Sequence, residues 1–409
     1  MKIKNNKTAE KVGENKKKSF FNGKRTSSKN NPTGKSNNKK SVAKTDNSER
    51  NNKKADKVKF KNVAAAERKT VVEKQKPSKE NKSFKNKKTL KVRFLGGVGE
   101  IGKNMTALEY DKDIIIIDAG ISFPGTNMPG IDLVMPDISY LTENKNKIKG
   151  IVITHGHEDH IGSLPYLLKE IDAPVFGTKL TLTLIENKIK EHKLNNVKLN
   201  CIKPSSVIKI GCFTVEFINV NHSIAGAVAL SITTPVGVVF HSGDFKIDYT
   251  PVNGETMDLT RIAEIGKKGV LLMLAESTNI EIEGNTLSEK VVKDTLDHVF
   301  GDNVSRRLIV ATFASNVHRL QQILELALKY KRKVVFSGRS MLNIADAASK
   351  IGELDFPSDL IVDVEKIKNY KDSEICIIST GTQGEPMSAL TRMASGEFNK
   401  VVIGNNDTV

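Results

Sequence analysis

Apolar and polar positions divide the chain into three stretches. Up to about residue 90, apolar residues are sparse among Lys, Asn and Ser, as in "NKKKSFFNGKRTSSKNNPTGKSNNKKS", and trace no face of any period. Such a segment has too little apolar surface to offset its ordering entropy, which predicts disorder. A short helix is expected only around "VAAAERKTVVEKQ". From "LKVRFLGG" onward, alternation and apolar content rise together. Short β-like runs, "KGIVIT", "APVFG", "CFTVEFINV", "AVALSITT" and "VGVVFHS", continue to about residue 277, with helix-like "IGSLPYLLKEI" and "LTLTLIENKIKEH" among them. That mixture predicts two sheets with covering helices. From about residue 285 the rhythm becomes helix "LSEKVVKDTLDHVF", strand "RLIVAT", helix "NVHRLQQILELALKY", strand "KVVFSG", helix "MLNIADAASKIG", strand "EICIIST", then "PMSALTRMASG". Regular alternation of helix and strand implies a parallel sheet, hence a further domain of α/β type. The expected division is a tail over residues 1–90, a first domain over 91–284 and an α/β domain over 285–409.

Charge sharpens the first boundary. Residues 1–90 hold 29 Lys and Arg against 8 Asp and Glu, whereas the remainder holds 35 against 39. The basic character belongs to the tail alone. A flexible polycation attracts phosphate polymers by counterion release without reading sequence; a solubilising extension is the other reading, and both stay open here. The three cysteines, Cys201, Cys212 and Cys376, form no C-x-x-C pair, so neither a disulfide framework nor a thiolate zinc site is indicated and a reducing compartment is expected. The start "MKIKNNKTAE" lacks a signal-peptide core, and no apolar run approaches the roughly 18 residues needed to span a bilayer. A cytoplasmic protein without a membrane segment is the expectation.

One motif invites a cofactor reading. Gly97, Gly99 and Gly102 in "FLGGVGEIGKN" have the spacing G-x-G-x-x-G, and "IIIIDAG" follows with Asp118. A dinucleotide site needs a helix opening at those glycines and crossing to a parallel strand. The intervening "KNMTALEYDKD" instead alternates Met105, Ala107 and Glu109 and ends in a polar turn, which predicts a hairpin strand. Without the helix N-terminus nothing holds a pyrophosphate, and the motif fails its structural condition.

The chemistry lies in "HGHEDH", residues 155–160, between the apolar strand "GIVIT" and a helix-like run. His155 and His157, two apart at a strand end, can point to one side, and Asp159 and His160 arrive on the next turn. Imidazoles and a carboxylate suit zinc or a neighbouring transition ion, and four ligands in six residues can serve two ions. A loop of clustered imidazoles buries no apolar area, so packing does not explain it. His222 in "INVNHSIAG" and Asp244 in "VVFHSGDFK" follow two further strand-like runs and reach the same rim. His241 is expected to point into its sheet, as a supporting or packing residue.

Taken together, "HGHEDH", "NHS", "SGDFK", "LGGVGEIGKNM", "IDAGISFPG" and "GIDLVMPDISYL" resemble the metallo-β-lactamase fold, specifically the ribonuclease J branch with a β-CASP insert. "TFASNVHRLQQ", "FSGRSM" and "GTQGEPMSALTRMASG" point to the same branch, and the resemblance covers residues 91–409. It implies an αββα sandwich with an inserted α/β parallel-sheet domain. It further implies one zinc held by His155, His157 and His222, a second by Asp159 and His160, and Asp244 between them, with Asp118 buttressing the ligand loop. Manganese or magnesium are alternatives. Asp159, His160 and Asp244 would be catalytic, an ion pair roughly 4 Å apart activating water against a phosphodiester. RNA is the implied substrate, cut in endonucleolytic and 5′-to-3′ exonucleolytic modes to leave a 5′-phosphate and a 3′-hydroxyl. Glu276, Ser315, Asn316, Arg339 and Gln383 are expected RNA contacts, Glu276 standing where the branch has Asp. A homo-oligomer or an RNA-decay or ribosome-associated complex is the implied assembly.

The chain stops at "VVIGNNDTV", in mid alternation, where members of the family continue and deliver another histidine to the second metal. The resemblance therefore implies a fragment with an incomplete β-CASP domain, weak metal binding and little nuclease activity of its own. A truncated RNA-binding scaffold, or a hydrolase of a small ester on the same fold, are the competing expectations.

Overall fold

Strand β3 (Asp113–Ile117) shows how the central layers arise from sequence. Its four isoleucines are all buried, and alternate residues face opposite ways: Ile114 and Ile116 pack against helices, Ile115 and Ile117 against a second sheet. A strand covered on both faces reads as a continuous apolar run. The computed structural model describes residues 88–409 except 126, 253 and 386, so the basic tail up to residue 87 and the helix expected near residue 63 lie outside the described residues.

The first sheet runs in chain order: β1 (Leu90–Gly96), β2 (Met105–Tyr110), β3, β4 (Ile148–Val152), β5 (Val175–Gly177) and β6 (Leu199–Cys201). The first three strands are an antiparallel meander, as the hairpin reading of residues 105–110 requires, and β3 to β6 are parallel. Helices Leu164–Glu170 and Lys179–Glu191 make the crossovers and cover its outer face.

The second sheet has the order β11, β10, β9, β8, β7, with β7 (Val207–Ile210), β8 (Phe213–Asn219), β9 (Val228–Thr234), β10 (Gly237–His241) and β11 (Leu272–Leu274). Phe213, Val215, Phe217, Leu230 and Val239 on its inner face pack onto Ile115, Ile117 and Val152. Its outer face, with Ile218, Ala229 and Phe240, is covered by helix Leu259–Lys268 through Ile265. The result is the expected αββα sandwich. That covering helix lies in a stretch read as strand-rich. Its signals are Asp258, which caps Arg261 N–H at 2.9 Å, and Leu259, Ile262 and Ile265 at helical spacing.

The third sheet is parallel in the order β13, β14, β12, β15, formed by β12 (Arg307–Ala311), β13 (Lys333–Ser337), β14 (Ile375–Ser379) and β15 (Asp407–Thr408). Helices Glu289–Asp302, Val317–Lys329, Arg339–Ile351 and Ala389–Ala394 alternate with its strands. One apolar cluster runs from Ile114 and Ile151 through Leu180 and Ile185 to Val317, Leu320 and Ala345, so the sandwich and the α/β sheet share a core.

At the tip of the first sheet, backbone bonds stitch β3 to the loop after β4. Ala119 N–H donates to His160 O at 2.8 Å, Gly120 N–H to Asn104 O at 2.9 Å, and Asn104 N–H to Asp159 O at 3.1 Å. Gly120 permits this: a Cβ there would sit 1.5 Å from Asp159 O. Gly120→Ala is expected to displace residues 159 and 160 and to cost about 1–3 kcal/mol, as overpacking does. Chemical denaturation checks this, as a lower midpoint at unchanged slope.

Candidate metal centre

Three strand tips converge. Thr154 and His155 continue from β4, and His157 stands in extended conformation as N-cap of helix Glu158–Ile161, which carries Asp159 and His160. His222 lies in the connection from β8 to β9, and Asp244 follows β10 through Gly243. Gly243 has φ +56°, and a Cβ there would meet Val228 O at 2.8 Å, so the turn that delivers Asp244 favours glycine.

The donor atoms fall into two groups that share His155: His155, His157 and His222, and His155, His160 and Asp244. In the first, His157 Nδ1 lies 3.0 Å from His155 Nε2 and 3.1 Å from His222 Nε2. In the second, Asp244 Oδ2 lies 3.4 Å from His160 Nε2 and 3.9 Å from His155 Nε2, and it is also 3.8 Å from His222 Nε2. Asp159 Oδ2 stands 3.5 Å from His160 Nε2. Tetrahedral ligands at the usual metal–nitrogen distance are separated by about 3.3 Å, so this donor set fits a divalent ion such as zinc.

The surroundings prepare most of these donors. Burial, reinforced by the neighbouring imidazoles, pushes His155 well below its ordinary pKa and His157 down to about 3. Burial also lowers His222, to about 4 against the pull of Asp244. Three imidazoles are thus neutral near pH 7, with lone pairs free. His160 behaves oppositely: burial opposes its charge, but the Asp118 and Asp244 carboxylates outweigh burial and raise its pKa well above the ordinary value. Burial raises Asp159, with Asp244 and Asp118 adding to it against His160. Burial works against the Asp244 charge, and His160 with the other imidazoles overcomes it, keeping the carboxyl below its usual range.

Asp118 holds the loop. Its carboxylate accepts from Thr154 N–H at 2.7 Å, from Thr154 Oγ1 at 2.8 Å and from His160 Nδ1 at 2.8 Å. His160 Nε2 is thereby left facing Asp244. A neutral His155 with its proton on Nδ1 donates it to Thr154 Oγ1, 3.1 Å away, and keeps Nε2 for an ion. Asn104, the residue after the glycine-rich loop, reaches Asp159 O at 3.1 Å and Asp159 Oδ2 at 3.3 Å. The glycines therefore deliver a carboxamide to the ligand loop. Neither Asn104 nor Thr154 stood out in the sequence, although both adjoin motifs that did.

The remaining expected residues divide. Glu276 lines a cavity of about 280 Å³ together with Asp118, His160 and Asp244, its carboxylate accepting from Thr278 N–H at 2.7 Å. His241 lines the same cavity, with Nδ1 accepting from Gly243 N–H at 3.0 Å; two residues beyond Val239 on β10, it takes the same inward side of the sheet as that residue. It is the last residue of β10, where the chain turns and opens that face. Asn316 is corrected: it is buried, and its Oδ1 accepts from Arg319 N–H at 3.1 Å as the cap of helix Val317–Lys329 rather than facing a strand of RNA. Ser315 Oγ lies 2.9 Å from His157 Nε2, at the centre itself. Arg339 and Gln383 are exposed and line neither that cavity nor the second one, beside His222.

Comparison with known proteins agrees with this geometry. The metallo-beta-lactamase superfamily matches residues 98–256, and the family described as "Ribonuclease J, beta-CASP domain" matches residues 305–409. "Ribonuclease J" of Synechocystis sp. is 48% identical over 323 residues, covering 78% of this chain and 50% of the relative. "Ribonuclease J" of Helicobacter pylori strain 26695 is 44% identical over 80% of this chain and 48% of its own length. "Ribonuclease J2" of Bacillus subtilis is 41% identical over 80% of this chain and 59% of its own. The chain thus spans about half the length of the relatives it matches. A crystal structure of a protein of unknown function from Enterococcus faecalis V583 superposes with TM-score 0.52 at 18% identity, over 73% of this chain and 78% of that one, a likeness of fold alone. With a divalent-metal donor set at the tips of an αββα sandwich and an α/β sheet matched by its own β-CASP description, the chain belongs to the ribonuclease J family.

Proposed function

We propose that this chain supplies the catalytic centre of a ribonuclease that hydrolyses RNA phosphodiester bonds with two zinc ions, manganese or magnesium being the alternatives. The single observation that carries the reading is the pair of donor groups sharing His155 at three strand tips. Two such ions lower the pKa of a water and neutralise charge on a phosphodiester.

The protein's own groups have separable tasks in this reading. His155, His157 and His222 offer neutral nitrogens, and Asp244 stands within reach of both groups. Asp118 fixes the orientation of His160 through Nδ1. Asp159, with a raised pKa, is suited to accept a proton from attacking water and hand it on. Glu276 on the cavity wall, exposed Arg339 at the start of its helix and exposed Gln383 on a loop are the groups left to meet RNA. A sandwich over residues 91–284 and an α/β domain over 285–409 would hold the strand between them. Endonucleolytic and 5′-to-3′ exonucleolytic modes, action in the cytoplasm and assembly into oligomers or RNA-decay complexes complete the proposal. Hydrolysis of a small ester is less well supported, because it gives no role to an α/β sheet whose Ser315 reaches the centre.

Two measurements on the full-length protein test this. Chelation should abolish cleavage of a 5′-phosphorylated RNA oligonucleotide, and His157→Ala should lower it by more than the roughly 100-fold typical of residues behind the ligands. Cleavage of RNA at an undiminished rate by that variant sinks the proposal. Asp118→Asn should weaken divalent-ion affinity by about 10–100-fold, because the amide cannot accept from both Thr154 and His160 as the carboxylate does. Competition against a chromophoric chelator reads it.

A further inference from the structure

His157 gives its two ring nitrogens to different partners. Nδ1 lies among the first donor group, 3.0 Å from His155 Nε2 and 3.1 Å from His222 Nε2. Nε2 points the other way and lies 2.9 Å from Ser315 Oγ, which belongs to the loop between β12 and helix Val317–Lys329 of the α/β sheet. An imidazole that offers its Nδ1 lone pair to an ion keeps its proton on Nε2, and this N–H needs an acceptor.

Resting on the metal-centre reading above, we propose that Ser315 is a positioning residue: its hydroxyl accepts from His157 Nε2–H, fixing the tautomer and ring orientation that aim Nδ1 at the ion. The α/β sheet is thereby a structural part of the centre. The sequence suggested that Ser315 touches RNA; its hydroxyl faces an imidazole instead.

The loop that carries Ser315 is itself held. Thr312 N–H donates to Ser379 O at 3.0 Å on β14, Asn316 N–H to Phe313 O at 3.1 Å, and Val317 N–H to Ser315 O at 2.8 Å. The Asn316 cap sets where helix Val317–Lys329 begins. Farther along that helix, Arg319 Nη2 donates to Glu289 at 2.8 and 3.0 Å. Glu289 also pairs with Lys246 at 3.1 Å, two residues beyond Asp244. One helix start therefore braces both the His157 side and the Asp244 side of the centre. Deleting the hydroxyl leaves Nε2–H without its acceptor and frees the ring to rotate.

The test needs no RNA. Ser315→Ala should weaken zinc affinity by about 10–100-fold in competition with a chromophoric chelator, and Ser315→Thr, which keeps the hydroxyl, should restore most of it. In the zinc-loaded protein labelled with ¹⁵N-histidine, His157 should carry its proton on Nε2, and Ser315→Ala should speed exchange of that proton. Unchanged affinity in Ser315→Ala, or a His157 proton on Nδ1, overturns the assignment. A protein that binds zinc in this way yet cuts no RNA overturns the ribonuclease reading and leaves Ser315 in place; one that binds no divalent ion overturns both.

Discussion

One buried carboxylate anchors the imidazole loop of the centre. Asp118 stands just beyond β3 and accepts from the backbone and side chain of Thr154, just beyond β4, and from His160. Two neighbouring parallel strands are thus locked at their tips, and the imidazole loop that follows β4 has its direction set before any ion arrives. The arrangement works because Asp118 is surrounded by donors while almost fully removed from water, where each hydrogen bond to a charged acceptor is strong and each missing one costly. Asp118 also adopts φ +61°, a conformation that Asp tolerates better than most residues.

The second dependence crosses between sheets. The imidazole nitrogens of the first donor group lie 3.0–3.1 Å from one another, and their orientation for an ion depends on what each ring's other nitrogen meets. The rings are held from behind: His155 by Thr154, His160 by Asp118, His157 by Ser315. Two of these braces lie in the sandwich and one in the α/β sheet, which shares its apolar core. A rigid, continuous core is what lets a residue of one sheet aim a ligand borne by the other.

How much of this could be read in the sequence follows from the range of the forces involved. The "HGHEDH" loop was legible because four potential ligands in six residues have no packing explanation. The glycine spacing was correctly rejected as a cofactor loop, since residues 105–110 alternate and form a hairpin strand. What escaped depends on partners distant in the chain. Asn104 looks like any turn residue until the loop folds against Asp159, and Ser315 looks like a helix-start residue until His157 lies opposite. Asn316 was misread because a capping side chain and a ligand-binding one have the same composition.

The choice of imidazole over carboxylate has a consequence for the substrate. From residue 91 onward the chain holds 35 Lys and Arg against 39 Asp and Glu, so this body offers a polyanion no net attraction. Neutral histidines would not cancel the charge of an ion bound between them. On the proposed reading, two dications set among four imidazoles, Asp159 and Asp244 would leave the centre with a surplus of positive charge. An all-carboxylate site of the same size would cancel it. Burial keeps His155, His157 and His222 unprotonated, and so performs two functions at once: it frees their lone pairs and keeps them from repelling the ions. In the proposed reading, attraction for a polyanion in this body would come from bound metal rather than from an excess of basic side chains.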